Sequence, residues 1–305
     1  DFLFASNDIV SDKGLLNNYN FLIKNFNSYA ENSSSYSDKE DYEVFGTFLL
    51  KTSYPLKKIK ENSTDYLKPV MAIKYSPNNT KNISNKDLRL DYNNIFSLNR
   101  IGTDSFVEGG ESISLGLEFR KRNFENEDIF GFNIANSLSS SKNSNLPSKS
   151  KLDQTRTDIV GNIFYSPISN LNLDYTFSYD RDLDFSNYDS IGAGLNFDNL
   201  ITSFDYRTEN HELGNSETIS NSTRLYFDDE NSLQFDSTKN LKDDFTEYYN
   251  LIYAYETDCL IATATYNKKF YKDGNLMPEE TLQFLIKFVP FTEVRGSANT
   301  YVKNN

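Results

Sequence analysis

The sequence has no tryptophan, one cysteine and one histidine among its 305 residues, and each scarcity removes a class of protein or site. Because Cys259 is alone, no disulfide can close within the chain. His211 stands without a nucleophile and an orienting group beside it, so we expect a non-enzyme. Nothing resembles a phosphate-binding loop, and we therefore expect no nucleotide or redox cofactor.

Long apolar runs and excess positive charge are missing as well. No stretch approaches the roughly 18 uninterrupted apolar residues of a membrane-spanning helix. A formal net charge of −13 argues against nucleic acid as a partner, because phosphate binding requires a basic patch. Asp180, Asp182 and Asp184 resemble the start of a calcium loop, but Phe185 replaces the turn glycine and Ile191 the bidentate glutamate. We interpret these aspartates as a solvated hairpin end and expect no metal site.

Aromatic residues are plentiful, with 21 Tyr and 24 Phe. A disordered chain would lack these aromatics. The mean hydropathy of −0.62 is low, but it is compatible with a transmembrane barrel, in which only every second strand residue faces lipid. Without tryptophan, the aromatic belts of such a barrel must be built from Tyr and Phe.

Strict alternation of apolar and polar residues is the dominant pattern. Residues 171–180 read Leu-Asn-Leu-Asp-Tyr-Thr-Phe-Ser-Tyr-Asp, and similar runs recur at 112–119 and 190–197. Alternation over eight or more residues predicts a strand with one apolar and one polar face. We predict about fourteen strands, at 15–29, 42–55, 66–76, 112–123, 129–139, 158–167, 171–181, 190–198, 200–208, 217–227, 232–238, 245–256, 259–271 and 281–289.

The connections between the predicted strands alternate between long and short. Residues 77–111 form a long connection, for example, whereas residues 125–128 form a short one. Bacterial barrels place short turns at the periplasm and long loops outside. Continuing this parity places residues 257–258, and the tail that follows Phe291, on the periplasmic side.

These patterns predict an all-β fold, namely an antiparallel transmembrane outer-membrane β-barrel. Residues 1–291 are its predicted barrel portion and residues 292–305 a predicted periplasmic tail. The alternatives are a soluble β-sandwich and a secreted solenoid. A sandwich rarely has this many strands in one chain, and a solenoid would have a fixed repeat, which we do not find.

One long connection contains a patterned apolar segment. It reads Asn-Ile-Phe-Ser-Leu-Asn-Arg at 94–100 and Val-Glu-Gly-Gly at 107–110, directly before a predicted strand. Loops of this length usually have their own packing or a function. We therefore predict that this loop is folded and packed, in the mouth of the barrel.

Several segments, in order along the chain, resemble the LptD family of lipopolysaccharide-assembly proteins, also called organic solvent tolerance proteins. They are the loop segment 94–119 and the segments 11–16, 67–77 and 255–260. The family motif residues in the loop are Phe96, Ser97, Leu98, Asn99, Arg100, Glu108 and Gly109.

The resemblance implies that the chain is roughly the second half of a larger barrel in the outer membrane of a Gram-negative bacterium. The chain starts at Asp1 in a strand-like run, and we expect a fragment whose signal peptide lies upstream. The implied function is translocation of lipopolysaccharide through the barrel and a lateral gate into the outer leaflet. Implied partners are lipopolysaccharide, outer-membrane lipid, an LptE-like plug lipoprotein, and an LptA-like periplasmic bridge protein that binds through an N-terminal jellyroll domain.

The resemblance also assigns roles to two regions near the end of the chain. It implies a disulfide from Cys259 to a cysteine of the N-terminal region, for which a free buried thiol is the alternative. It implies a lateral gate at the last predicted strand, whose residues Leu282, Phe284, Ile286 and Phe288 form an apolar set beside Thr281 and Gln283. A generic outer-membrane channel or transporter is the main alternative function, and an adhesin-like β protein the second.

Overall fold

The structure is a computed structural model that describes residues 1–29, 41–102, 107–210, 215–270, 279–289 and 292–301. Its first nine strands are β1 (Phe2–Ala5), β2 (Ile9–Val10), β3 (Leu16–Ser28), β4 (Asp41–Ser53), β5 (Leu56–Ile59), β6 (Ser63–Ser76), β7 (Gly110–Asn123), β8 (Asp128–Ser139) and β9 (Ile159–Ile168). The others are β10 (Leu171–Tyr179), β11 (Ser186–Phe197), β12 (Leu200–Glu209), β13 (Ser216–Tyr226), β14 (Asn231–Asn240), β15 (Phe245–Glu256), β16 (Leu260–Lys269), β17 (Glu279–Phe288) and β18 (Thr292–Tyr301). No helix among the described residues is long and apolar enough to cross a membrane.

The predicted all-β, antiparallel fold class is confirmed, and all fourteen predicted strands are present. Their boundaries differ from the prediction by at most four residues. The predicted number is nevertheless too low, because the described residues contain eighteen strands. Three of the missed strands, β1, β2 and β5, have four residues or fewer, which is too short for an alternating pattern to be recognised.

The fourth missed strand, β18, corrects the prediction for the end of the chain. Residues 292–301 are not a tail, because β18 pairs antiparallel with β17 from Thr292, opposite Phe288, to Tyr301, opposite Glu279. The segment 281–289 is therefore not the last strand. The sequence of β18 is Thr-Glu-Val-Arg-Gly-Ser-Ala-Asn-Thr-Tyr, which has no alternating set of large apolar residues. Backbone pairing with β17 makes it a strand despite this composition.

The first compact unit comprises residues 1–164 and 176–188. In it β1 and β2 pair with β3, and antiparallel pairing continues in the order β3, β4, β6, β7, β8, with β5 also on β6. One face, which we call the open face, carries exposed apolar side chains, among them Met71, Ile73, Tyr75, Ile113, Leu115 and Leu138. The connections 77–109 and 140–158 contribute buried residues that pack against the opposite face, the covered face.

The core of this unit lies between the covered face and those two connections. The connections contribute nine of its fifteen buried apolar residues and the strands six, which means that the loops belong to the folded unit. The buried apolar residues are Phe45, Leu49, Val70, Ala72, Ala135 and Val160 from the strands and Ile83, Leu90, Tyr92, Ile95, Phe96, Ile101, Val107, Leu146 and Leu152 from the connections.

A proline inside β6 is accommodated by a change of partner strand. β4 pairs with β6 from Val70 onward, whereas β5 pairs with it only up to Leu67. Pro69 lies between these two partners, and its carbonyl accepts a hydrogen bond from the Tyr54 amide at 3.1 Å. The N–H that proline lacks therefore faces the gap between β4 and β5, where no ladder bond is lost.

The second compact unit comprises residues 165–175 and 189–305, and its strands β12 to β18 pair antiparallel in chain order. Its apolar face carries exposed large side chains, including Phe204, Leu225, Phe235, Leu251, Tyr253, Leu282, Phe284, Ile286 and Phe288. Its polar face is hydrogen bonded across neighbouring strands, since Ser222 Oγ donates to Asp236 Oδ1 at 2.6 Å and Arg224 Nε to Gln234 Oε1 at 2.9 Å.

Candidate functional site

Arg100 is the centre of a buried charged cluster in the connection between β6 and β7. Its side chain is 1% exposed. Its Nε donates to Glu108 Oε2 at 3.0 Å, and its Nη2 donates to the second oxygen of the same carboxylate, which gives a two-point contact. Nη1 donates to Ser137 Oγ at 2.7 Å and Nη2 to Ser112 Oγ at 3.0 Å. These bonds attach the loop to β7 and β8.

Lys74 adds a second positive charge to this cluster from β6. Its Nζ lies 2.6 Å from Glu108 Oε2, and its side chain is 4% exposed. Strand alternation places it on the covered face, between the exposed residues Ile73 and Tyr75. Glu108 therefore joins one cation of the loop to one cation of the sheet.

Glu108 ionises more readily than an ordinary glutamate despite being buried. Burial by itself would raise its pKa, because a carboxylate loses hydration there. The charges of Arg100 and Lys74, together with their hydrogen bonds, outweigh burial and lower the pKa of Glu108 to about 2. The cluster has two cations and one anion, so loss of the Glu108 charge would leave two buried positive charges without compensation.

Aromatic packing holds the loop at a second point. The Phe96 ring is buried against β7, and a Cβ added to Gly116 would lie 2.5 Å from Phe96 Cζ. A Cβ at Gly109 would collide with the Asn78 carbonyl oxygen, and the Gly109 amide donates to Thr80 Oγ1 at 2.8 Å. Glycine at these two positions thus permits close approach of the loop.

The other motif residues shape the loop itself. Ser97 Oγ donates to the carbonyls of Asn94 at 2.7 Å and Asn99 at 3.0 Å. Asn99 Oδ1 accepts from the Ile101 amide at 3.2 Å, and Leu98 packs partly buried against the core. The predicted folding and packing of the loop is confirmed, whereas its place in a barrel mouth stays a prediction.

The connection 140–158 locks onto the first loop through amide hydrogen bonds. Asn145 Nδ2 donates to the Thr80 carbonyl and Asn143 Nδ2 to Thr80 Oγ1, both at 3.0 Å. The Leu90 amide donates to Ser150 Oγ at 3.2 Å. The two connections therefore form one layer on the covered face.

Tyr92 links the same loop to β7 at a further point. Its hydroxyl donates to Glu118 Oε1 at 2.9 Å, and its ring packs edge-on against Phe96. Burial raises the pKa of Tyr92, and the negative charge of Glu118 raises it further. Tyr92 is therefore a neutral hydrogen-bond donor over the physiological pH range.

Arg100 and Glu108 are predicted from the sequence as motif residues, but the strand residues that complete the cluster are not. These are Lys74, Ser112, Ser114 and Ser137. The sequence does show a lysine and small hydroxyl residues at the polar positions of three alternating strands. It does not show that β6, β7 and β8 bring these residues to one place. His211, from whose isolation in the sequence a non-enzyme is expected, lies outside the described residues.

The structure places the other predicted residues far from this cluster along the chain, in the second unit. Cys259 is exposed, so the alternative of a buried thiol is wrong. It ends the short connection between β15 and β16, and its carbonyl accepts from the Val289 amide at 2.9 Å. In β17, Leu282, Phe284 and Ile286 are exposed on the apolar face, as is Phe288, whereas Thr281 is buried and Gln283 is on the polar face.

Among solved structures, two mutants of the Rhodopseudomonas blastica porin are similar, each at 10% identity and a TM-score of 0.41, covering 94% of this chain and 94% of the porin. A search of curated proteins finds no match. The sequence model of the family described as LPS transport system D, LptD, matches residues 10–234.

An antiparallel sheet with exposed apolar residues on one face and paired polar residues or packed loops on the other is the construction of an outer-membrane β-barrel protein. The family match covers well over half of the chain. The chain belongs to the LptD family, and it is an outer-membrane protein of a Gram-negative bacterium, as predicted.

Proposed function

We propose that the protein translocates lipopolysaccharide into the outer leaflet of the outer membrane. The observation that carries this proposal is the family match over residues 10–234, which includes the whole loop motif. The two-faced second unit supports it chemically. An apolar face such as that of Phe284 and Ile286 suits acyl chains, and a polar face such as that of Arg224 and Asp236 suits a sugar head group.

The lateral exit is assigned to β18 in this proposal rather than to β17. The second half of β18 reads Gly-Ser-Ala-Asn at 296–299, and these residues have low strand preference and little side chain to pack. A seam that opens must be weakly paired, since a closed barrel leaves no free edges. The residues of β17 from Thr281 to Phe288 would then line the wall beside the exit.

The periplasmic assembly is part of the same proposal. Cys259 forms a disulfide with a cysteine upstream of this chain, which its exposure in a short connection supports. An LptE-like lipoprotein and an LptA-like bridge protein are the proposed partners. In non-reducing electrophoresis of the full-length protein, Cys259→Ser should change the mobility, and an unchanged mobility would count against the disulfide.

Depletion of the full-length protein tests the transport function. When the chromosomal copy is shut off, newly made lipopolysaccharide should fail to reach the cell surface, and plasmid-borne wild-type protein should restore its arrival. Conductance of the purified protein in planar bilayers is measured in parallel. Normal lipopolysaccharide arrival in depleted cells, together with steady single-channel conductance, would favour a generic outer-membrane channel instead.

A further inference from the structure

A cavity of about 410 Å³ lies in the first unit between the connection 140–158 and the β10–β11 hairpin end at 180–185. Ten residues line it, namely Lys142, Lys151, Gln154, Thr155, Arg156, Asp158, Asp180, Arg181, Asp182 and Phe185. It is separate from the Arg100 cluster, none of whose residues line it. Its lining combines cationic, aromatic, hydroxyl and amide side chains with three carboxylates.

Each carboxylate of this cavity has at least one partner among the described residues, although Asp158 Oδ1 is buried without one. Asp158 Oδ2 accepts from Asn187 Nδ2 at 2.7 Å and from Ser178 Oγ at 3.0 Å. Asp180 Oδ1 accepts from two backbone amides of its own turn, that of Asp184 at 2.8 Å and that of Phe185 at 3.3 Å. Asp182 is paired with its neighbour Arg181 at 3.1 Å. These acids thus have partners of their own, and Asp182 is the one whose charge is paired with a cation of the lining.

Two cations of the lining have no such partner. In the part of the chain that the structure describes, the side chains of Lys142 and Arg156 form no ion pair with a carboxylate, and both residues are exposed. The lining carries four cations against three carboxylates, whereas the whole chain carries a net charge of −13. The cavity therefore has a small local excess of positive charge, which the two unpaired cations supply.

The remaining lining fits a sugar better than a bare anion. Phe185 is 55% exposed, and it offers an apolar surface to the C–H face of a pyranose ring. Gln154 and Thr155 can hydrogen bond to hydroxyl groups, and the lining combines apolar contact with a few polar groups, as in small-molecule sites. Lys142 and Arg156 supply charge-assisted donors for a phosphate or carboxylate group.

We propose that this cavity binds an anionic saccharide, a phosphorylated or carboxylated sugar of the lipopolysaccharide head group. This inference rests on the proposed function. The connection 140–158 is long, and the length parity assigns it, together with the end of the β10–β11 hairpin, to the outer end of the strands. The cavity thus retains the head group where it leaves the protein.

Binding of deacylated lipopolysaccharide to the purified full-length protein tests the site. We expect the double variant Lys142→Gln/Arg156→Gln to weaken this binding about tenfold, because two charge-assisted contacts at an exposed site are lost. The matched control is Lys13→Gln/Lys58→Gln, which removes the same charge at two exposed positions outside the cavity and should leave the affinity unchanged. Equal affinities for the two double variants would overturn the proposal.

Two further ligands identify what the cavity recognises. Enzymatic removal of phosphate from the deacylated lipopolysaccharide assigns the anionic group. Binding to the wild type should weaken as much as in the double variant if the group is a phosphate, and it should stay unchanged if the group is a carboxylate. Inorganic phosphate should bind much more weakly than the saccharide, and equal binding would reduce the cavity to a simple anion site and overturn the saccharide assignment. The depletion assay separates this proposal from the proposed transport function. If the wild type delivers lipopolysaccharide to the surface but Lys142 and Arg156 do not affect saccharide binding, the cavity assignment is wrong and the transport function still stands.

Discussion

At the scale of residues, the charge balance of the buried cluster decides whether the loop stays on the sheet. Arg100 and Lys74 are both almost completely buried, and both contact Glu108. A buried ion pair contributes little net stability compared with apolar packing, but removal of one partner is costly because a charge is left buried alone. The cluster therefore contributes more to fixing the position of the loop than to the free energy of unfolding.

Glu108→Gln tests this role. The substitution leaves two buried cations, and we expect it to destabilise the packed loop by about 3 to 5 kcal/mol. Limited trypsin cleavage at Lys86 and Arg89 of the protein in detergent measures release of the loop. Glu111→Gln is the control, because Glu111 is exposed and outside the cluster. Equal cleavage of the two variants would contradict the role assigned to Glu108.

The pH dependence of the packed loop follows from the same carboxylate. The pKa of Glu108 is lowered from 4.5 to about 2 in the folded protein, so its contribution is complete above pH 4.5 and is lost as the pH falls towards 2. Hydrogen exchange of residues 94–101, corrected for the intrinsic rate, should stay slow down to about pH 4.5 and accelerate below it. Acceleration between pH 7 and 5 would indicate a different titrating group.

Alanine substitutions test whether glycine is required where the backbone of the loop packs closely. Gly109→Ala should loosen the loop by about 1 to 3 kcal/mol, because its Cβ collides with the Asn78 backbone and cannot be moved cheaply. Gly46→Ala, in β4, has nothing within 4 Å of the added Cβ and should change the loop little. The same trypsin assay compares them, and the account of close approach is wrong if the two behave alike.

At the scale of elements, alternation predicted fourteen strands because each of them has one apolar face. Alternation does not predict β18, because small residues such as Gly296 and Ser297 lie where a recognisable strand has large ones. Only the pairing with β17 defines this strand. The loop 77–109 was predicted to fold because its segment around Phe96 is apolar. Its position on β7 and β8 depends on contacts between residues distant in sequence, such as Arg100 with Ser137, which a single sequence does not contain.

A designed disulfide tests the pairing of β17 with β18. Gln283 and Ser297 face each other on the polar face, so Gln283→Cys with Ser297→Cys should form a bond under mild oxidation. The control is Gln283→Cys with Gly296→Cys, in which the second thiol points to the other face. Mass spectrometry of peptides detects the bond. A bond in the control and none in the test pair would mean a different register.

At the scale of the whole molecule, the distribution of polarity is the reverse of that in a soluble protein. Phe235, Leu251 and Phe284 are exposed, whereas serines such as Ser112, Ser137 and Ser190 are buried. In water this arrangement would expose apolar patches that promote aggregation. In a bilayer the same apolar residues face lipid and the backbone is paired in the ladder, so the composition and low hydropathy of the chain are those of a membrane protein.

The class of protein could be predicted from the sequence, because the alternating strands and the alternating connection lengths together indicate a barrel. The transport function could not be derived in this way. It depends on the family to which the loop motif belongs, since alternating strands and connection lengths indicate a barrel but not its substrate.

Site-specific photocrosslinking in living cells tests the central claim most directly. A photoreactive amino acid at Gln234, on the polar face, should form an adduct with newly made lipopolysaccharide before that lipid reaches the surface. The same amino acid at Leu233, the adjacent position on the apolar face, should form no such early adduct. Early adducts at position 233 and none at position 234 would contradict transport of lipopolysaccharide along the polar face.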